Sequence, residues 1–204
     1  NARRTASPQI DIRDIGTAPT LAGNTLNGRG IWVRDGAAGR ITDNSVEAPN
    51  GIALELKGTA TGPAVRDNTI QGSIQIYDQA AGEVVGNTIG GRQNGIEISG
   101  PGTRPIVRAN TLNGEGNGTV GIQVGDGAAG EISTNTITGY GTGIQTIGTP
   151  DATIDIRDNI LLDNTRDRRQ ANPDIVWMDR FARGQQDLKD GLFAKAEETF
   201  RLTS

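Results

Sequence analysis

The sequence predicts an all-β solenoid, a coil of short parallel strands stacked turn upon turn, with an α-helical extension at its C-terminus. Three observations carry that prediction. An Asn-Thr/Ser-aliphatic triplet recurs at Asn24, Asn44, Asn68, Asn87, Asn110 and Asn135 and, in degenerate form, at Asn159, with spacings of 20, 24, 19, 23, 25 and 24 residues. A small residue followed by Ile recurs between the triplets, at Gly30, Gly51, Ser73, Gly95, Gly121 and Gly143. Polar and apolar residues alternate after each of these, as in "GIWVRD" and "SIQIYD", which is the period of a half-buried strand. Two signatures that keep phase over six turns mark a repeat architecture.

Composition agrees with a thin core. At 34% hydrophobic and 3% aromatic residues with 30 glycines in 204, a core of bulky aromatics is excluded, whereas one of Ile, Val and Leu is not. The net charge of -4, from 20 basic and 24 acidic residues, and the lack of any basic cluster interleaved with aromatics argue against a nucleic-acid partner. With no Cys and no His, disulfides, thiolate metal sites, the usual zinc ligands and the usual general base are all missing. No apolar run approaches the roughly 18 residues of a membrane span. The opening "NARRTASPQ" has neither Met nor a signal-like apolar region, as in a mature or excised fragment of a larger protein. The preference for Arg over Lys suggests a bacterial source, and cytoplasmic and exported locations both stay open.

Each element has a physical reason. Coils stacked at the strand spacing of about 4.8 Å place equivalent residues in ladders, with Ile and Val inside. At a corner between strands, an Asn amide can donate to one neighbouring copy and accept from the other, and Asn tolerates a left-handed backbone. Thr beside it points outward. The Gly before Ile serves the opposite corner through its conformational freedom. "DGAAG" at Asp35, its variant "DQAAG" at Asp78 and the copy at Asp126 read as one turn reused every second coil. Those Asp residues then stand about 10 Å apart, too far to share one ion, so the turn reading takes precedence over a ligand role.

This organisation resembles the right-handed parallel β-helix, in particular the short parallel β-helix repeats of the pectin-lyase-like superfamily and the CASH class of carbohydrate-binding and sugar-hydrolase domains. The resemblance covers roughly residues 10–165, or about seven coils, within a first domain of residues 1–165. It implies the fold and not an activity, because the same scaffold carries lyases, hydrolases, epimerases and inert binding modules.

Residues 166–204 read as a charged linker followed by helix, with Asn172 as cap, Pro173 at the first helical position and an apolar stripe at Leu188, Leu192, Phe193, Ala196 and Phe200. "GLFAKAEETF" is similar to the second half of a tetratricopeptide motif through Gly191, Phe193, Ala196 and Phe200, although Arg183 stands where that motif has Leu. The segment is therefore a helical cap on the last coil or the start of further helical repeats, which its helices would contact.

Chemistry is sparse. "NGEGNGTVG" lacks the acidic positions of a calcium roll and reads as a flexible loop. Lyases of this fold use clustered calcium-binding carboxylates and an Arg; the echoes are "RPIVR", with Arg104 and Arg108, and "VWMDR", with Arg180 in place of His. No catalytic residue and no cofactor is assigned. Asp43 and Asp67 precede their ladder Asn on adjacent coils, about 5 Å apart, and are the one candidate cation pair. Arg66 beside them and the corner position favour a solvated turn.

Outward positions of the second strand give Trp32 and Arg34, then Ala53 and Glu55, Gln75 and Tyr77, Glu97 and Ser99, Gln123, and Gln145. Aromatics among amides and carboxylates suit a protein or glycan ligand, and the alternative is a solvated face with an Arg34–Glu55–Tyr77 ladder. The leading function is a non-catalytic recognition or scaffold module within a larger bacterial protein, ahead of a carbohydrate-active enzyme. Third comes an ice or surface binder using Thr25, Thr69, Thr88, Thr111 and Thr136, disfavoured by Ser45 and by coils of uneven length.

Overall fold

A computed structural model describes residues 7–169. Their strands are β1 (Ile10–Arg13), β2 (Thr20–Ala22), β3 (Thr25–Asn27), β4 (Ile31–Arg34), β5 (Arg40–Thr42), β6 (Ser45–Lys57), β7 (Ala64–Arg66), β8 (Thr69–Tyr77) and β9 (Glu83–Val85). There follow β10 (Thr88–Gly91), β11 (Ile96–Ile98), β12 (Ile106–Arg108), β13 (Thr111–Val124), β14 (Gly130–Ser133), β15 (Thr136–Thr146), β16 (Ile154–Arg157), β17 (Ile160–Leu162) and β18 (Arg166–Arg169). All pairings are parallel and join each strand to its counterpart one coil away, which makes an all-β right-handed solenoid of about seven turns. The helical extension expected from Asn172 onward lies outside the described residues.

Each coil follows one route. A short strand of a seven-stranded sheet (β2, β5, β7, β9, β12, β14, β16) leads through the Asn corner into an eleven-stranded sheet that wraps the rest of the coil. In β6, β8, β13 and β15 the Thr-bearing segment and the second segment fuse into one strand of 13, 9, 14 and 11 residues. A tight turn then returns the chain to the small sheet. Three aliphatic ladders fill the interior, Ile31–Leu54–Ile74–Ile96–Ile122–Ile144 among them, and nearly all of their members are buried. At about 1.5–3 kcal/mol for each fully buried aliphatic side chain, these ladders supply the main driving force.

The Asn corner is a continuous ladder. From Asn24 to Asn159, each Asn gives its backbone N–H and its Nδ2 to Oδ1 of the next Asn at 2.9–3.0 Å. Asn44 to Asn159 are buried, while Asn24, the first rung, is exposed at the open end. The left-handed backbone falls one residue earlier than expected: Gly23, Asp43, Asp67, Gly86, Ala109, Thr134 and Asp158 all have φ between 54° and 70°. The ladder Asn is thus freed for hydrogen bonding while its predecessor makes the bend.

The glycines before Ile also act differently from the expectation. Gly30, Gly95 and Gly121 do not adopt positive φ; they are needed for space, since a Cβ on Gly95 would stand 2.5 Å from Gly121 O and one on Gly121 2.5 Å from Gly143 O. In the second coil the equivalent pair is Ala53–Leu54, which aligns with Ile31 and Ile74, and not Gly51–Ile52. "NGEGNGTV" is not a loop: β13 runs through it, with register shifts between Asn113 and Gly116 and between Gly116 and Val120 that absorb its extra residues. β18 likewise continues the sheet into the charged run read as a linker.

The alternate recurrence of "DGAAG" has a cause in the same stacking. Ala37, Ala80 and Ala128 alternate with Thr61 and Thr103 at fully buried corner positions. Thr61 Oγ1 accepts from Gly36 N–H and Thr103 Oγ1 from Gln79 N–H, each at 3.0 Å. A Thr coil therefore satisfies the turn of the Ala coil before it.

Candidate functional site

The second segment of the large sheet exposes two rows of side chains. The first is Asp11, Trp32, Glu55, Gln75, Glu97, Gln123 and Gln145, each paired in register with the next. The second begins Arg13, Arg34, Lys57 and Tyr77. Ala53 is not part of this face: the two-residue shift of the second coil buries it completely. For the same reason the cross-strand ladder is Arg34–Lys57–Tyr77, with Glu55 in the neighbouring row beside Trp32.

At the Trp32 end the side chains hold one another. Arg34 donates Nε and Nη2 to the two carboxylate oxygens of Asp11 at 2.9 and 2.7 Å, and its guanidinium carbon lies 5.6 Å from the centre of the Trp32 ring. That bidentate hydrogen bond keeps the Asp11 carboxyl below its ordinary range and raises Arg34. Tyr77 OH donates to Glu55 Oε1 at 2.7 Å, while Lys57 Nζ sits 5.3 Å from the Tyr77 ring centre and 3.7 Å from Asp78. Burial, then the bond to Glu55, pushes the Tyr77 phenol up. A cleft of about 460 Å³, walled by Pro8, Trp32, Pro49 and Ile52 over Gly30, opens beside this cluster.

Further along, Glu97 accepts from Gln75 Nε2 at 3.1 Å and from Asn94 Nδ2 at 2.8 Å, and Asn94 Oδ1 accepts Val120 N–H at 2.9 Å. Gln123 and Gln145 complete the row, half-buried and with no side-chain partner among the described residues. The face therefore has a knitted end and an end whose amides are open to a ligand. Asp11, Lys57 and Asn94 were missed as members. Lys57 could have been found from the alternation in "ALELK", and Asn94 from its place before Gly95-Ile96.

The other candidates fall elsewhere. Asp43 and Asp67 occupy consecutive exposed corners, where Thr42 Oγ1 donates to Asp43 Oδ2 at 2.9 Å and Arg66 pairs with Glu83. Among the described residues no three or more His, Cys, Asp or Glu side chains gather as a metal site would require. Arg108 stands exposed on β12, in the small sheet, between Val85 and Ser133. Arg180 lies outside the described residues. Thr25, Ser45, Thr69, Thr88, Thr111 and Thr136 form one unbroken register on the remaining face, because uneven coil length is absorbed in the connections and not in these strands.

A family model described as "Periplasmic copper-binding protein (NosD)" matches residues 14–186. Among curated proteins and among solved structures, nothing matches.

Proposed function

The chain belongs to the NosD family, and on that premise we propose that it is a non-catalytic recognition module, part of a larger periplasmic protein, whose stacked coils present the Trp32-to-Gln145 face to a protein partner. The observation that supports this reading is the division of that face. Trp32, Arg34, Glu55 and Tyr77 are fixed in place by their neighbours, and Gln123 and Gln145 continue the same row with free amides. Preorganised aromatic and Arg anchors beside adaptable polar groups are the usual make-up of a binding surface.

The copper named in the family description does not fit the donor set. Copper(I) is held by thiolate and thioether and copper(II) by imidazole, whereas the chain has no Cys, no His and a single Met, at Met178, outside the described residues. The corner carboxylates Asp43 and Asp67 are hard oxygen ligands and two in number. No step of the function is therefore routed through copper.

The enzyme reading is tested by incubating the protein with uronic-acid polymers while following unsaturated products and new reducing ends. The proposal expects no turnover. Robust turnover abolished by Arg108→Ala or by Asp43→Ala would replace it with a carbohydrate-active enzyme.

A further inference from the structure

Two buried side-chain oxygens have no hydrogen-bond partner, Ser73 Oγ and Tyr140 OH, in residues only 4% and 1% exposed. They belong to one column. The pairing of Ile74 with Ile96 and of Ile96 with Ile122 stacks the residues just before them, Ser73, Gly95 and Gly121, one above another.

Tyr140 lies along that column. A Cβ on Gly114 would meet Tyr140 Cγ at 2.6 Å, one on Gly121 would meet Cδ2 at 3.4 Å, and one on Gly95 would meet the hydroxyl at 3.0 Å. The ring thus passes through the coil of Gly114 and Gly121, and its hydroxyl reaches the coil of Gly95. The next member of the column is Ser73. Gly121 O borders the same point, 2.5 Å from the Cβ position of Gly95.

Missing side chains at Gly95, Gly114 and Gly121 explain how a ring fits here, but not why it carries a hydroxyl. Phe would fill the slot equally well, and Gly serves at two of the positions equivalent to Ser73. Burying either hydroxyl without a partner opposes folding, and two such groups facing one point in adjacent coils are satisfied together by one polar molecule. We propose that Ser73 and Tyr140 bind a single internal water molecule between their hydroxyls. Such a site has the two to four polar partners that a buried water needs. It ties together three successive strand starts, directly beneath Gln75, Glu97 and Gln123, each two residues further on.

The test is a double-mutant cycle on the full chain with Tyr140→Phe, Ser73→Ala and the double variant, read by denaturant unfolding. Each single variant should lower the folding equilibrium constant about three- to tenfold, and the double variant should fall no further than the worse single one. Variants that fold as well as the parent or better, with independent effects, overturn the proposal. A high-resolution crystal structure decides it without any variant: a solvent peak within hydrogen-bond distance of both hydroxyls supports the site, and a direct contact or carbon-filled space between them overturns it.

Discussion

Asn110 gives both of its N–H donors to a single atom, Oδ1 of Asn135, at 3.0 Å from the backbone and 2.9 Å from the side chain. Its own Oδ1 receives the same two donors from Asn87, and Nδ2 also reaches Val84 O at 2.8 Å. Each rung therefore terminates polar groups of two neighbouring coils in a place closed to water.

Replacing Asn110 with Leu leaves Asn87 N–H and Val84 O unpaired in the interior. We expect a loss of about 1–3 kcal/mol in urea unfolding, against well under 1 kcal/mol for Gln123→Ala on the surface. Equal losses at the two positions would contradict the ladder.

Thr134 is a β-branched, exposed residue at φ 54°, in the corner row where other coils use Gly or Asp. That backbone is costly for Thr and tolerated by Asn. Thr134→Asn is expected to raise stability by about 1 kcal/mol. A destabilised variant would show that Thr134 makes a compensating contact.

Asp11 has its carboxyl held low by Arg34. A carboxylate with a lowered folded pKa contributes stability above its unfolded value, about 3.9, and loses it as pH falls through the folded value. In a Trp177→Phe background, Trp32 fluorescence should change in a step below about pH 3.9, and Asp11→Asn should abolish that step. A step at the ordinary carboxylate pKa, or one that survives Asp11→Asn, would separate Trp32 from this pair.

Residues 170–204 carry the stripe that the sequence assigns to a cap. Beyond the last coil, β16, β17 and β18 have no further strand among those described, so each presents a free edge. Removing the segment should lower Tm and cause concentration-dependent association. Unchanged solubility and stability would exclude the cap.

Much of this architecture was legible because ladders write themselves into sequence: each corner needs an Asn on every coil, and each inner row an aliphatic residue. The Gly51–Ile52 misalignment was benign for Glu55, since a shift of two keeps side-chain parity, but it placed Ala53 outside. The left-handed row stayed hidden because Gly23, Asp43, Ala109 and Thr134 share a backbone angle and no side-chain chemistry. "NGEGNGTV" reads as a loop by composition, and only pairing with β15 makes it a strand. Partners such as Asp11 for Arg34 depend on coil-to-coil register, which the uneven repeat lengths obscure.

The account rests most on the claim that the Trp32-to-Gln145 face engages a protein. Site-specific photo-crosslinking in the cells that make the protein tests it directly, with the photoreactive residue placed at Gln123 or Gln145 and, as controls, at Thr69 or Thr111 on the hydroxyl face. One discrete protein adduct from the first pair alone, lost on Trp32→Ala with Arg34→Glu, is the predicted result. No adduct at Gln123 and Gln145, or the same adduct from Thr69 and Thr111, would contradict it.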